Sequence, residues 1–311
     1  MAALTRLPLS VGLRAPLGRG DFVYPAYWVA AAALLTATVL GVSLGQPMVV
    51  AAATVLFVGG GMPHGAYDIA LLRRTVAIDR HGISLVVTCY VGLVLAMALL
   101  WASLPLVALV VFLITSAMHF GEDWSALDEP LLRFAAGAAV IAAATIGHPE
   151  AVSMLFVGMS DARAKVIVDV IIAAAPVTLL VTAVGIWAAW HEGSRHWATA
   201  MVLCLGLLIL LPPVIGFALF FVFLHSPRHL DQTRVLLSDL TVIQWWTIGG
   251  ALSGVAIIGW IALQYLLPPH ADATLTTGAF QLLAAVALPH LVLSRWLVSR
   301  LVRVEGPEHA R

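Results

Sequence analysis

Charge is what this chain has least of. Only 10% of its 311 residues are charged while 61% are hydrophobic, and the mean hydropathy is +1.00. Soluble domains carry about 25% charged residues, so a soluble globular protein is excluded and a polytopic membrane protein is expected. The 16 basic and 16 acidic residues cancel, which leaves no basic patch for a nucleic acid. Lysine is scarcer still. Lys165 is the one lysine, in the polar stretch Ser160-Asp-Ala-Arg-Ala-Lys165. With none inside an apolar segment, a protein that holds retinal as a Schiff base is excluded. Cysteine supplies neither a disulfide framework nor a zinc spacing: Cys89 and Cys204 stand alone in apolar runs and read as small core residues.

Apolar length is there in abundance. A helix needs about 20 apolar residues to cross the hydrocarbon core, and residues 26–45, 48–72, 83–104, 131–148, 166–190, 245–267 and 278–298 each supply that. Residues 105–120 make a shorter span after Ser103-Leu-Pro105. The stretch 197–226 is too long for one straight crossing and is broken at Pro212-Pro213, since proline removes a backbone donor and clashes with the preceding turn. The fold class is therefore all-α, a transmembrane bundle of about eight to ten segments, ten if 197–226 is split. Arg73, Arg74, Arg80, the N-terminal Arg6, Arg14 and Arg19, and the tail Arg295, Arg300, Arg303 and Arg311 then all fall on the cytoplasmic side. Arg163 and Lys165 fall on the other side, against the rule. Residues 1–25 read as a cytoplasmic lead-in with no cleavable leader, 26–300 as one integral membrane domain in the cell membrane, and 301–311 as a cytoplasmic tail.

Four histidines sit where apolar residues belong: His64, His119, His225 and His229, in Met62-Pro-His64-Gly-Ala-Tyr-Asp68, Met118-His119-Phe-Gly-Glu-Asp123 and His225-Ser-Pro-Arg-His229-Leu-Asp231. An ionisable side chain inside a membrane is costly and marks a functional site by default. The topology sets all four at one depth near the cytoplasmic end, with His290 in the same half of the last segment. A lone histidine on an apolar helix is more often a hydrogen-bonded core residue; four at one depth, each near an acid, point to a metal. Residues four apart share a helical face, so His64 with Asp68, His119 with Asp123, and His225 with His229 are expected to point into one space. Asp68, Glu122, Asp123, Asp231 and His290 are candidates to orient the ligand imidazoles. Imidazole suits zinc, copper, iron and nickel; four on zinc would saturate it, whereas ferrous iron would keep positions free. Tyr67, Phe120, Trp124, Phe221 and Phe223 are candidates to line a substrate tunnel. His81, His148, His191, His196, His270 and His309 fall in loops, segment ends or polar stretches and read as solvated.

At Pro63-His64-Gly65-Ala66-x-Asp68, His119-Phe120-Gly121-Glu122-Asp123 and His225-x-x-x-His229 the sequence resembles the Brp/Blh family of bacterial and archaeal membrane β-carotene 15,15′-dioxygenases. The resemblance runs over most of residues 55–295. It implies Fe(II) held by His64, His119, His225 and His229, and cleavage of β-carotene by O₂ at the central double bond into two all-trans-retinal. It also implies a lipid-bilayer setting and a rhodopsin apoprotein as acceptor of the retinal. Two other classes compete. A membrane di-iron hydroxylase needs further histidine boxes that are missing here. A non-catalytic metal or proton transporter, or a rhodopsin-biogenesis factor, would favour acids along a through-path, whereas the acids cluster on one side.

Overall fold

Proline sets where many of these helices begin. Its missing N–H costs nothing in the first helical turn, and Pro25, Pro47, Pro105, Pro130, Pro149 and Pro213 each open one. The computed structural model describes residues 23–75, 79–124, 126–266 and 274–305, and all regular structure among them is helical. In chain order the helices are α1 (Pro25–Val39), α2 (Pro47–Leu56), α3 (Asp68–Thr75), α4 (Arg80–Ser103), α5 (Pro105–Phe120), α6 (Pro130–Gly147) and α7 (Pro149–Met159). They continue with α8 (Ala164–His191), α9 (Arg195–Leu210), α10 (Pro213–Phe220), α11 (Ser226–Leu236), α12 (Val242–Leu266) and α13 (Leu275–Glu305). Two of the breaks are not loops. A π-helical turn (Phe57–Gly61) and a 3₁₀ turn (Met62–Tyr67) join α2 to α3, and a π-helical turn (Phe221–His225) joins α10 to α11.

Eight runs among the described residues are long and apolar enough to cross a membrane: Pro47–Arg74, Arg80–Ser103, Pro105–Asp123, Pro130–Gly147, Ala164–His191, Pro213–Leu236, Val242–Tyr265 and Leu275–Trp296. The chain is a multi-pass helical membrane protein. Helices α1, α7 and α9 are shorter apolar runs. The break expected at Pro212-Pro213 is there, with Leu211 extended as residues before proline tend to be. Three segments differ from expectation. The first ends at Val39 because Gly41 takes φ 72°; the Val42 and Gly41 N–H groups then donate to the Ala37 and Thr38 carbonyls and close the helix. The run from Pro213 continues to Leu236, well past residue 226. Residues 149–159, left between segments by the hydropathy, form α7, which at about 1.5 Å per residue is too short to cross.

Small residues place the bundle's centre. Helix α6 buries Ala136, Gly137, Ala139, Ala142 and Ala143, and such residues let helix backbones touch where the hydrophobic effect gives no help. A β-carbon at Gly137 would overlap the Ala117 carbonyl and the Gly121 amide of α5 and its extension, and one at Gly121 would overlap the Arg133 carbonyl of α6. That double approach fixes the end of α5 that carries His119. Of the spanning runs, the one along α13 is the most buried, while those of α4 and α12 are mostly exposed. Cys204 is buried as expected; Cys89 instead faces outward from α4. Residues 1–22 of the lead-in and 306–311 of the tail lie outside the described residues, and α13 runs on to Glu305.

Candidate metal centre

The four histidines arrive at one point because three helical runs are irregular there. Before His64, the glycines of the first π turn let it lie against the second: a β-carbon at Gly61 would collide with the Phe221 ring, and one at Gly60 would stand 3.1 Å from Val222. Glycine here gives both the bend and the close packing. Pro63 and Pro227 follow these turns, where wide helical turns accommodate a residue that cannot donate. The Gly61 carbonyl freed by the distortion accepts from His64 Nδ1, and from Ser226 Oγ at 3.2 Å. π turns of this kind occur often at functional sites.

The imidazoles meet tightly. His119 Nε2 lies 3.0 Å from His225 Nε2 and 3.5 Å from His64 Nε2. His229 and His290 flank this trio, with ring centroids both 5.1 Å from that of His119. One ring nitrogen each of His119, His225 and His229, and likewise of His64, His119 and His290, lie within 4.8 Å of one another. His64, His119 and His225 are buried.

Nδ1 is already spoken for in four of the five. His64 donates to the Gly61 carbonyl, His119 to Glu122 at 3.1 Å, His225 to Asp123 at 2.8 Å and His290 to Asp68 at 2.8 Å. An imidazole whose Nδ1 carries the proton presents a bare lone pair at Nε2. Such lone pairs on His64 and His225, both facing that of His119 inside an apolar bundle, repel it unless a cation lies among them. The donor set thus fits a metal that favours imidazole, with carboxylates holding the outer nitrogens.

Within the shared space Asp68 and Asp123 pair across motifs and not with the histidine four residues away. Asp68 holds His290 rather than His64, Asp123 holds His225 rather than His119, and His119 is held by Glu122, three residues on. The cause is local: residues 62–67 and 121–123 are 3₁₀ turns, in which positions three apart eclipse and the register of four is lost. Asp231 is not at the centre; it accepts from the Tyr24 hydroxyl at 2.6 Å on the exposed surface. Arg295 donates to Glu122 at 3.3 Å and Arg74 pairs with Asp239 at 2.8 Å.

An apolar cavity of about 410 Å³ adjoins the cluster. His64, His119 and His290 line one part of it, and Phe112, Trp260 and Leu282 line it further along. From His119 back to Phe112, and from His290 back to Leu282, is seven or eight helical residues, or about 10–12 Å along the bundle. Val87, Val91 and Leu95 of α4 line the cavity yet are 39%, 49% and 51% exposed; so do Leu252 and Val255 of α12. Residues that face both a cavity and the outside mark an opening, so the cavity opens sideways between α4 and α12. Of the aromatic candidates, Phe120 and Phe221 line it. Tyr67 instead stacks on Trp245 at 4.0 Å and donates to its carbonyl at 3.0 Å, tying α12 to the 62–67 turn. Trp124 packs on Trp197 at 6.4 Å, and Phe223 lies against the core outside the cavity. His81, His191 and His196 are exposed as expected and His148 is partly buried; His270 and His309 lie outside the described residues.

A helical membrane protein with a polyhistidine centre beside a lipid-facing cavity is the class these features define. The sequence profile of the family described as beta-carotene 15,15′-dioxygenase matches residues 53–298. The chain belongs to that family. It is 27% identical over 266 residues to a beta-carotene 15,15′-dioxygenase of an uncultured marine bacterium, covering 78% of this chain and 91% of the relative. To a probable beta-carotene 15,15′-dioxygenase Blh of Halobacterium salinarum it is 27% identical over 335 residues, covering 93% and 95%. No solved structure matches it.

Proposed function

We propose that this protein is an Fe(II)-dependent dioxygenase of the cell membrane that cleaves β-carotene at its 15,15′ double bond to two all-trans-retinal. The observation that carries the reading is the junction of an imidazole cluster with an apolar, laterally open cavity. His64, His119, His225 and His229 would hold the iron. Bound ferrous iron would supply the unpaired electrons that let dioxygen react with a closed-shell alkene.

The protein's own part is orientation and exclusion. Asp123 and Glu122 fix the His225 and His119 rings with Nε2 turned inward, and the Gly61 carbonyl does so for His64. In the overall reaction one carbon–carbon double bond breaks and each carbon takes one oxygen atom of O₂ as an aldehyde. No proton has to move in that balance, and Asp68, the carboxylate among the described lining residues, is tied to His290. A hydrocarbon gives no polar handle, so register must come from shape. Phe112, Phe120, Phe221 and Trp260 supply flat walls. The slot between α4 and α12 lets that substrate enter from the bilayer, and the mostly apolar lining disfavours water. Arg74 and Arg295 lie at the histidine end, which supports a cytoplasmic orientation for it. A rhodopsin apoprotein is the expected acceptor of the retinal.

Expression in cells that accumulate β-carotene tests the reading. Loss of pigment with accumulation of retinal is expected; intact pigment alongside folded, iron-loaded protein would overturn it.

A further inference from the structure

His290 stands outside the four-histidine set implied by the sequence motifs, yet its geometry matches theirs. Its ring is 11% exposed, and its Nδ1 lies 2.9 and 2.8 Å from the two oxygens of Asp68, itself 6% exposed. In the neutral ring that engagement puts the proton on Nδ1 and leaves the other nitrogen free to bind a metal, as Asp123 does for His225. A ring nitrogen of His290 lies within 4.8 Å of those of His64 and His119.

Local structure is shaped around this ring. Pro289 sits inside α13 directly before it, repeating the Pro63-His64 step on another helix. A proline within a helix frees a carbonyl and bends the axis. Gly65 stands against the imidazole: a β-carbon there would be 3.4 Å from His290 Nδ1, in van der Waals contact with the ring. A histidine present only for packing needs a partner for one nitrogen and an inert neighbour for the other. Here the second neighbour is two more imidazoles and the cavity.

We propose that His290 is a metal ligand alongside the four histidines of the motifs, and that Asp68 is its positioning residue. The proposal rests on the metal-centre reading above and extends it to a fifth imidazole, supplied by the last transmembrane helix. Metal loading would therefore lock α13 to the runs that carry His64 and His119.

The test uses Co(II), whose visible d–d absorption reports coordination number and geometry, on the full-length detergent-solubilised protein. Wild type is compared with His290→Gly, His290→Gln, Asp68→Asn and His191→Ala, the last on an exposed ring outside the cluster. Both His290 variants should change the d–d spectrum and lower Co(II) affinity by at least about tenfold, with Asp68→Asn falling within roughly 10–100-fold of wild type. Exogenous imidazole should restore the spectrum of His290→Gly, which the adjoining cavity gives room for, and His191→Ala should match wild type. Wild-type spectra and affinity in both His290 variants overturn the proposal and leave the metal centre standing. A loss of affinity that imidazole does not reverse assigns His290 a structural role and also overturns it. Failure of wild type to bind Co(II) or Fe(II) removes the centre itself, and this proposal with it.

Discussion

Asp123 is the carboxylate on which the centre depends most. It is 2% exposed, and its Oδ2 accepts from His225 Nδ1 at 2.8 Å while its Oδ1 faces His229 Nε2 at 3.6 Å. Asp123→Asn keeps an acceptor and loses the charge. A hydrogen bond to a charged group contributes about 1.5–3 kcal/mol and a neutral one about 0.5–1.5, so the difference is about 1–1.5 kcal/mol. That is close to tenfold in an equilibrium constant. Asp123→Ala goes further, because the N–H of the fully buried His225 is left with no acceptor, a penalty of about 1–3 kcal/mol. It also lets the ring rotate away from the position that presents Nε2. Fe(II) affinity should therefore fall in the order wild type, Asn, Ala, with the Ala variant about 100-fold weaker, at the upper end for residues that orient ligands. Anaerobic titration against a competing chelator measures it, with thermal unfolding in detergent as the check on folding. An Ala variant that folds and binds Fe(II) like wild type would refute the reasoning.

Gly137→Ala should cost about 1–3 kcal/mol by overpacking, since the added methyl meets the Ala117 carbonyl; thermal unfolding reads it, and metal affinity should fall with it because α5 carries His119. At Gly259, on the cavity wall with nothing within 4 Å of a β-carbon, Phe should fit without backbone strain and fill the space. Retinal formation should drop while iron content stays at the wild-type level, and unchanged turnover would show that the substrate lies elsewhere. His119→Ala should abolish retinal formation in pigmented cells, whereas His81→Ala, on an exposed ring at the start of α4, should leave it near wild type; equal effects would sink the ligand assignment.

Much of the bundle is legible because crossing a membrane demands long apolar runs, and proline marks where they start. The common depth of His64, His119, His225 and His229 follows from counting segments. Pairing is not legible in that way. Asp68 and His290 are 222 residues apart, and Asp123 and His225 are 102 apart; such partners emerge only when helices dock. Two 3₁₀ turns also cancel the rule of four on which pairing within a motif rests. The repeated Pro-His step at 63–64 and 289–290 was the available signal that His290 belongs with the others. Helix α7 was hidden for another reason: Pro149–Met159 is apolar but too short to register as a span. Tyr67, Trp124 and Phe223 look like tunnel residues by type and nearness to the motifs, yet each faces a helix contact instead of the cavity.

The most direct test is a single-turnover reaction of the purified protein, reconstituted anaerobically with Fe(II), given β-carotene in detergent and then ¹⁸O₂. The account predicts two retinal molecules for each β-carotene consumed, each carrying one labelled oxygen, and none from the metal-free protein. Intact β-carotene in the iron-loaded protein, or equal retinal without metal, would contradict it.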